Sequence, residues 1–112
     1  MIRIGSLTAV LIAISTPPAF AESVRATWYG NELAGHRTAS GVPFNPSGHT
    51  VAHRTLPFGT CLILQNPNTG KEVRVTVNDR GPFTSGVTLD LSQGAAQAIG
   101  MRTTQSVGMR HC

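Results

Sequence analysis

The sequence predicts a small, mainly β domain closed into a barrel. Three observations carry that expectation. Several short segments alternate apolar and polar residues with period two. They are separated by turns drawn from a pool of 12 Gly and 7 Pro. One segment alone shows helical spacing, and it is about two turns long, too short to stand without packing on the rest. Five or six short strands and one helix in so few residues point to a sheet that closes on itself.

In chain order, Val24 to Tyr29 places Val24, Ala26 and Trp28 against Arg25, Thr27 and Tyr29, as a strand with one apolar face would. Gly30 to Gly48 has no sustained period and reads as a long loop, a feature that in a small domain usually serves function. Thr50 to Arg54 is a short strand, and Pro57 and Gly59 punctuate the chain before the next one. Thr60 to Gln65 and Glu72 to Asn78 flank the turn-forming Asn66 to Gly70, which predicts a hairpin with Val73, Val75 and Val77 on one face. Asp79-Arg80-Gly81-Pro82-Phe83 is a stiff turn, and Val87, Leu89 and Leu91 alternate again. Ser92 suits the N-cap of a helix running to Ile99, with Gly100 as its terminator. Ser106 to Cys112 supplies the last strand.

The N-terminal 21 residues read as a secretory signal. Arg3 precedes an apolar run from Ile4 to Ile14, and Ala19-Phe20-Ala21 has small residues where a signal peptidase would cut. A run this short cannot span a bilayer, which needs about 20 residues. No cysteine follows it, so no lipid anchor is expected after cleavage. Residues 22–112 then form one domain, exported to the periplasm or secreted, and a monomer. They carry eight Lys and Arg against five Asp and Glu, about +3, scattered singly and not gathered as a nucleic-acid footprint. Cys61 and Cys112 are an even count, which favours a disulfide in an oxidising compartment, with unlinked thiols as the alternative. The spacing argues against a metal site, and nothing calls for a cofactor.

Two segments are unusually polar for strand ends: Ala52 to Thr60 and Val77 to Phe83. Each holds an ionisable residue before a Pro/Gly turn, an arrangement that preorganises a site. By alternation Asp79 continues the apolar face of Val73, Val75 and Val77. A carboxylate there is either a general acid of raised pKa, or an acceptor for its own turn or for Arg80 or Arg54. His53 is likewise a satisfied barrel-end histidine or an acid/base partner of a carboxylate. Asp90 reads as structural, capping the helix or tying the barrel. Of Trp28, Tyr29, Phe44, Phe58 and Phe83, most are packing residues, and one or two suit stacking on a sugar face.

These motifs resemble the rare lipoprotein A (RlpA-like) family. The resemblance rests on Trp28-Tyr29-Gly30, Thr38-Ala39-Ser40-Gly41, Ala52-His53-Arg54-Thr55-Leu56-Pro57-Phe58-Gly59-Thr60, Val77-Asn78-Asp79-Arg80-Gly81-Pro82-Phe83 and Asp90-Leu91-Ser92. It implies a six-stranded double-psi β-barrel with one or two short helices, a fold shared with expansins and barwin-like proteins. It also implies a lytic transglycosylase whose partners are peptidoglycan glycan strands free of stem peptides. His53 and Asp79 match the positions needed for cleavage. Asp79 would protonate the oxygen between N-acetylmuramic acid and N-acetylglucosamine, and the sugar's 6-hydroxyl would close on the anomeric carbon to leave a 1,6-anhydro end. Within the same motifs, Trp28, Tyr29, Ser40, Arg54, Asn78, Arg80 and Phe83 are expected to bind substrate.

The chain departs from the family pattern in three ways. Val42 stands where many members have an acidic residue after Ser-Gly. A lipid anchor and a C-terminal peptidoglycan-binding repeat are not seen, and the pair Cys61 and Cys112 is additional. The first departure favours the alternative expectation, a non-catalytic expansin-like module that binds or loosens cell-wall polysaccharide.

Overall fold

The structure, a computed structural model, describes residues 22–112. The export signal expected over residues 1–21 lies outside them. Six strands close into a barrel: β1 (Glu22–Tyr29), β2 (Thr50–Ala52), β3 (Cys61–Gln65), β4 (Glu72–Asp79), β5 (Leu89–Ser92) and β6 (Gln105–His111). Around the barrel the order is β1-β5-β2-β4-β3-β6. β1 runs parallel to β5 and β2 parallel to β4, while every other neighbour is antiparallel. This is the six-stranded double-psi barrel that the motifs imply, with one helix and one short 3-10 turn.

Period two decides what goes inside. Along β4 burial alternates strictly, with Val73, Val75 and Val77 in the core and Glu72, Arg74 and Thr76 outside. Leu62 and Leu64 of β3, Leu89 and Leu91 of β5 and Val107 of β6 complete the interior, each 0% exposed. Burying one such side chain is worth about 1.5–3 kcal/mol relative to leaving it in water. The expected hairpin is present, with Cys61 opposite Thr76 and Gln65 opposite Glu72. Its turn is held by Asn66, whose buried side chain bonds Asn68, Ile99 and Gln105.

The helix α1 (Gln93–Ala98) closes one end of the barrel with Ala95 and Ala96. Ser92 caps it, as its residue type predicts: Oγ accepts from Ala95 N at 3.3 Å and donates to Gly48 O at 2.6 Å. Gly94 lies so close to the loop that a Cβ there would sit 2.6 Å from Ser47 O. The loop from Gly30 to Gly48 has more structure than its sequence suggests. It contains the 3-10 turn Asn31–Leu33 and a bridge between Arg37 and Pro43, and buried Phe44 stacks on Tyr29 at 4.4 Å. Cys61 and Cys112 are joined in a disulfide that ties the start of β3 to the end of the chain.

β2 ends at Ala52, two residues earlier than the sequence suggests. The His53 Nδ1 accepts the backbone N–H groups of Thr55 and Leu56, so the side chain offers the backbone a turn in place of the ladder.

Candidate active site

The pairing register shifts between Val51 and Ala52, so that Val51 is opposite Val77 but Ala52 is opposite Asp79. One extra residue, Asn78, is accommodated on β4. Such a bulge re-aims the side chains beyond it. Asp79 therefore leaves the apolar face of Val77 and joins the outer face with Ala52, contrary to the simple alternation. Across the other edge of β2, Ala52 is opposite Asp90, and Asp90 is opposite Thr27 of β1. The outer face thus carries a row Asp79–Ala52–Asp90–Thr27 over four neighbouring strands. Ala52 is the small, 3% exposed residue between two carboxylates.

Asp79 is held from two directions. Its Oδ1 accepts the backbone N–H of Arg80 at 2.9 Å and that of Ala39, from the long loop, at 2.9 Å. Its Oδ2 faces the Tyr29 hydroxyl, which donates at the long distance of 3.5 Å. Arg54 and Arg80 do not pair with it. Arg54 donates to Pro82 O and Val87 O, and Arg80 to His53 O and Leu56 O. Of the two expectations for Asp79, the structure has the acceptor for its own turn, in Oδ1, while Oδ2 is met only by the Tyr29 hydroxyl.

His53 is tied to Asp79 through the main chain, its N–H donating to Asp79 O at 3.2 Å. The imidazole itself bonds the turn Thr55–Leu56. With Nδ1 accepting two N–H groups, the ring's proton resides on Nε2. Burial, and next the nearby Arg54 and Arg80 charges, push its pKa below the usual histidine value. His53 is therefore a neutral Nε2–H donor.

Asp90 lacks the hydrogen bonds that anchor Asp79. Its Oδ1 is sealed from solvent and has no hydrogen-bond partner. Burial first, then the charges of Asp79 and Glu32, push its pKa up to about 6. It does not cap α1, since Ser92 does. Tyr29 is held as a neutral phenol by burial and by both Asp79 and Asp90. The sequence offered one signal for Asp90, its place in Asp90-Leu91-Ser92, and no reason to prefer it over a structural carboxylate.

The other expected site residues divide into two groups. Tyr29 and the Arg80 N–H bond Asp79 directly, Ser40 and Asn78 lie beside it, and Arg54 is held on the Pro82 and Val87 carbonyls. Ser40 N donates to Asn78 O at 3.2 Å, and the Asn78 side-chain Oδ1 is buried without a partner. Phe83 is 81% exposed at the rim. Phe58 is the aromatic residue that sequence reasoning left among the packing rings: it is 43% exposed, with the Arg80 guanidinium 3.9 Å from its ring centroid. Trp28 lies apart, its Nε1 bonded to Arg102 O, in a cleft of about 280 Å³ shared with Gln93, Gln97 and Met101. A larger cleft of about 540 Å³ runs beside it between α1 and the loop, lined by Asn31, His49, Gln93 and Gln97. Neither includes Asp79, which is half-buried. Among the described residues no three His, Cys, Asp or Glu side chains converge as metal ligands.

The family profile described as Lytic transglycolase matches residues 21–111. The chain belongs to this family. It is 53% identical over 79 residues to the probable endolytic peptidoglycan transglycosylase RlpA of Synechocystis sp., covering 70% of this chain and 25% of that one. It is 40% identical over 97 residues to the endolytic peptidoglycan transglycosylase RlpA of Vibrio cholerae, covering 87% and 37%. The chain thus spans between a quarter and somewhat over a third of the length of these relatives. Among solved structures, an apo expansin of Clavibacter michiganensis superposes with a TM-score of 0.62 at 25% identity, over 80% of this chain and 49% of that one. A Streptomyces papain inhibitor matches at 0.60 and 20% identity over 82% and 96%, a likeness of fold alone. Within a barrel of this family, the face bearing Asp79 is the candidate active site.

Proposed function

We propose that the protein is a lytic transglycosylase that cleaves the N-acetylmuramic acid–N-acetylglucosamine bond of peptide-stripped peptidoglycan strands and leaves 1,6-anhydro ends. The observation that carries this reading is the anchoring of Asp79: one oxygen is fixed by two N–H groups and the other is met only by the Tyr29 hydroxyl at 3.5 Å, inside a barrel of the lytic transglycolase family. The reaction needs one proton delivered to the bridging oxygen as its bond to the anomeric carbon breaks. It needs a second proton removed from the 6-hydroxyl as that oxygen bonds the same carbon. No water is consumed, so no carboxylate is needed to activate one. Asp79 serves this exchange. The neutral His53 offers an Nε2–H to a substrate or leaving-group oxygen. Tyr29, Ser40, Arg54, Asn78, Arg80 and Phe83 border the path of the strand, and Trp28 supplies a separate apolar surface beside α1.

The same reading makes residues 1–21 a cleaved export signal and residues 22–112 the working domain, a monomer acting in the periplasm or outside the cell. Among the described residues no helix is long and apolar enough to cross a membrane. The test is mass spectrometry of the products released from peptide-free glycan strands, with Asp79→Asn run in parallel. Anhydro-ended sugars from the wild type alone support the reading, and reducing-end sugars would replace it with hydrolysis.

A second reading is an expansin-like module that binds wall glycan without cutting it. The superposition on the Clavibacter michiganensis expansin favours it, as does exposed Val42 at the position where an acidic helper is expected. Its mark is retained strand binding with no soluble product.

A further inference from the structure

The turn between β2 and β3 begins at His53, and its two ends are tied to β4 through the backbone. His53 N–H donates to Asp79 O at 3.2 Å and Gly59 N–H to Val77 O at 2.8 Å. Between those ties the turn is held by one side chain. Arg80 Nη1 donates to His53 O at 3.1 Å and to Leu56 O at 2.8 Å, and its guanidinium lies over the Phe58 ring, 3.9 Å from the centroid. The backbone N–H of the same residue donates to Asp79 Oδ1 at 2.9 Å. Arg80 therefore holds the carboxylate with its main chain and the histidine-bearing turn with its side chain.

The imidazole depends on that turn. Its Nδ1 accepts the N–H groups of Thr55 and Leu56, so Leu56 is held at both backbone groups, the N–H by His53 and the carbonyl by Arg80. The direction of the ring, and with it the aim of Nε2–H, is set by contacts that end at the guanidinium. Arg54 and Arg80 also add to burial in keeping the imidazole neutral, against the opposing charge of Glu22 from β1. A guanidinium suits this task, since it is planar, permanently charged, stacks on an aromatic face and donates in fixed directions.

We propose that Arg80 is a positioning residue for the reaction, clamping the turn from His53 to Phe58 so that the imidazole and the Asp79 carboxylate keep a fixed mutual placement. The inference rests on the transglycosylase reading, and it commits the Arg80 guanidinium to the turn in place of the glycan strand. Phe58, 43% exposed, serves as the surface against which the guanidinium lies.

The experiment compares wild type, Arg80→Gln, Arg80→Lys and Phe58→Leu by NMR titration of His53, binding to peptide-free strands, anhydro-product kinetics and melting temperature. Arg80→Gln is expected to lose about 10–100-fold in kcat, the usual cost of a misplaced group, with KM and strand binding little changed. Its His53 should titrate nearer the ordinary histidine value, because one of the two neighbouring cations is gone. Arg80→Lys keeps the charge but not the contact with the ring, so its titration should stay close to wild type while kcat remains reduced. Phe58→Leu, at an exposed ring outside the core, should lower kcat in the same direction and by less. Weaker strand binding with unchanged kcat in Arg80→Gln would make Arg80 a substrate contact and overturn the inference. A rate that falls only with melting temperature, beside a wild-type His53 titration, would overturn it as well. A Phe58→Leu protein with wild-type kcat does so even where Arg80→Gln fails to fold. Each of these leaves the transglycosylase reading intact. Wild-type protein that releases no anhydro ends overturns that reading and the inference with it.

Discussion

The Ala39 backbone N–H lies 2.9 Å from Asp79 Oδ1, so the long loop between β1 and β2 is fastened to the candidate catalytic carboxylate. The loop and the site are therefore one unit, and substitutions at Asp79 should separate chemistry from architecture. Asn at this position keeps an oxygen for the Ala39 and Arg80 N–H groups, whereas Ala leaves both without an acceptor. Both variants are expected to lose about 10²–10⁴-fold in product formation. Asp79→Ala alone should lose a further 1–3 kcal/mol, roughly the cost of an unmet N–H group. Hydrogen exchange should show the Ala39 amide opening in Asp79→Ala and staying protected in Asp79→Asn.

Asp90 makes the opposite contribution to stability. Its pKa is raised from 3.8 to about 6 on folding, so between those values the folded protein binds more protons than the unfolded chain. Stability from this group is therefore full below about pH 4 and lost as pH rises through about 6. Asp90→Asn removes that loss. Its stability should match wild type near pH 4 and exceed it at pH 7, by on the order of 1–2 kcal/mol once solvent screening of a partly exposed group is allowed for. Urea unfolding of both proteins at the two pH values reads the difference directly. Equal stability at pH 7 would show that the carboxylate finds compensation in solution.

The range of each interaction decides whether the sequence makes it legible. Strand β4 is readable because Val73, Val75 and Val77 report their face by period two alone. Ser92 is readable as a cap because capping is local. The pair Cys61 and Cys112 is readable as a bond from compartment and even count. The face of Asp79 is not readable, because the bulge at Asn78 depends on how β4 pairs with β2, some 25 residues earlier in the chain. Asp90 reads as a structural residue for the same kind of reason. Its apposition to Asp79 exists only through the order β5-β2-β4, which no local pattern encodes.

The disulfide should matter more for the barrel seam than for the site. It closes a separation of 51 residues and sits where Cys112 N also bonds Cys61 O at 3.1 Å. Replacing both cysteines by serine is expected to cost about 2–4 kcal/mol, mainly by freeing the unfolded chain. The loss should appear as a lower denaturation midpoint and faster exchange along the β3–β6 edge, with cleavage of glycan strands retained at low temperature. Loss of cleavage in a protein that remains folded would place the cysteines in the site instead.

Gly94 is the point at which α1 meets the loop, its N–H bonded to Pro46 O at 2.8 Å. A methyl group there would press on the Ser47 and Gly48 carbonyls at 2.6 and 2.8 Å, and both are backbone atoms with little freedom to move. In an exposed helix Gly→Ala gains nearly 1 kcal/mol. Here the sign should reverse, with Gly94→Ala losing about 1–3 kcal/mol as strain spreads into the loop. Thermal unfolding is the measurement, and a stabilised variant would mean that the helix is not seated against residues 46–48.

His53 supplies the last test, because its role in the turn and its protonation are linked. Nδ1 accepts from Thr55 N at 3.1 Å and Leu56 N at 3.0 Å, and it can do so only while unprotonated. The folded pKa is depressed below 6.5, so as pH falls the unfolded chain takes up the proton first. Stability from this group is present above about pH 6.5 and lost as pH falls through the folded value. His53→Ala removes the acceptor outright and should cost about 1–2 kcal/mol at pH 7.5. The gap between wild type and variant should narrow as pH drops toward 5, since protonation deprives the wild type of the same two bonds. A gap independent of pH would mean that the ring stabilises the turn by packing alone. The neutral Nε2–H assigned to the reaction would then lose its structural basis.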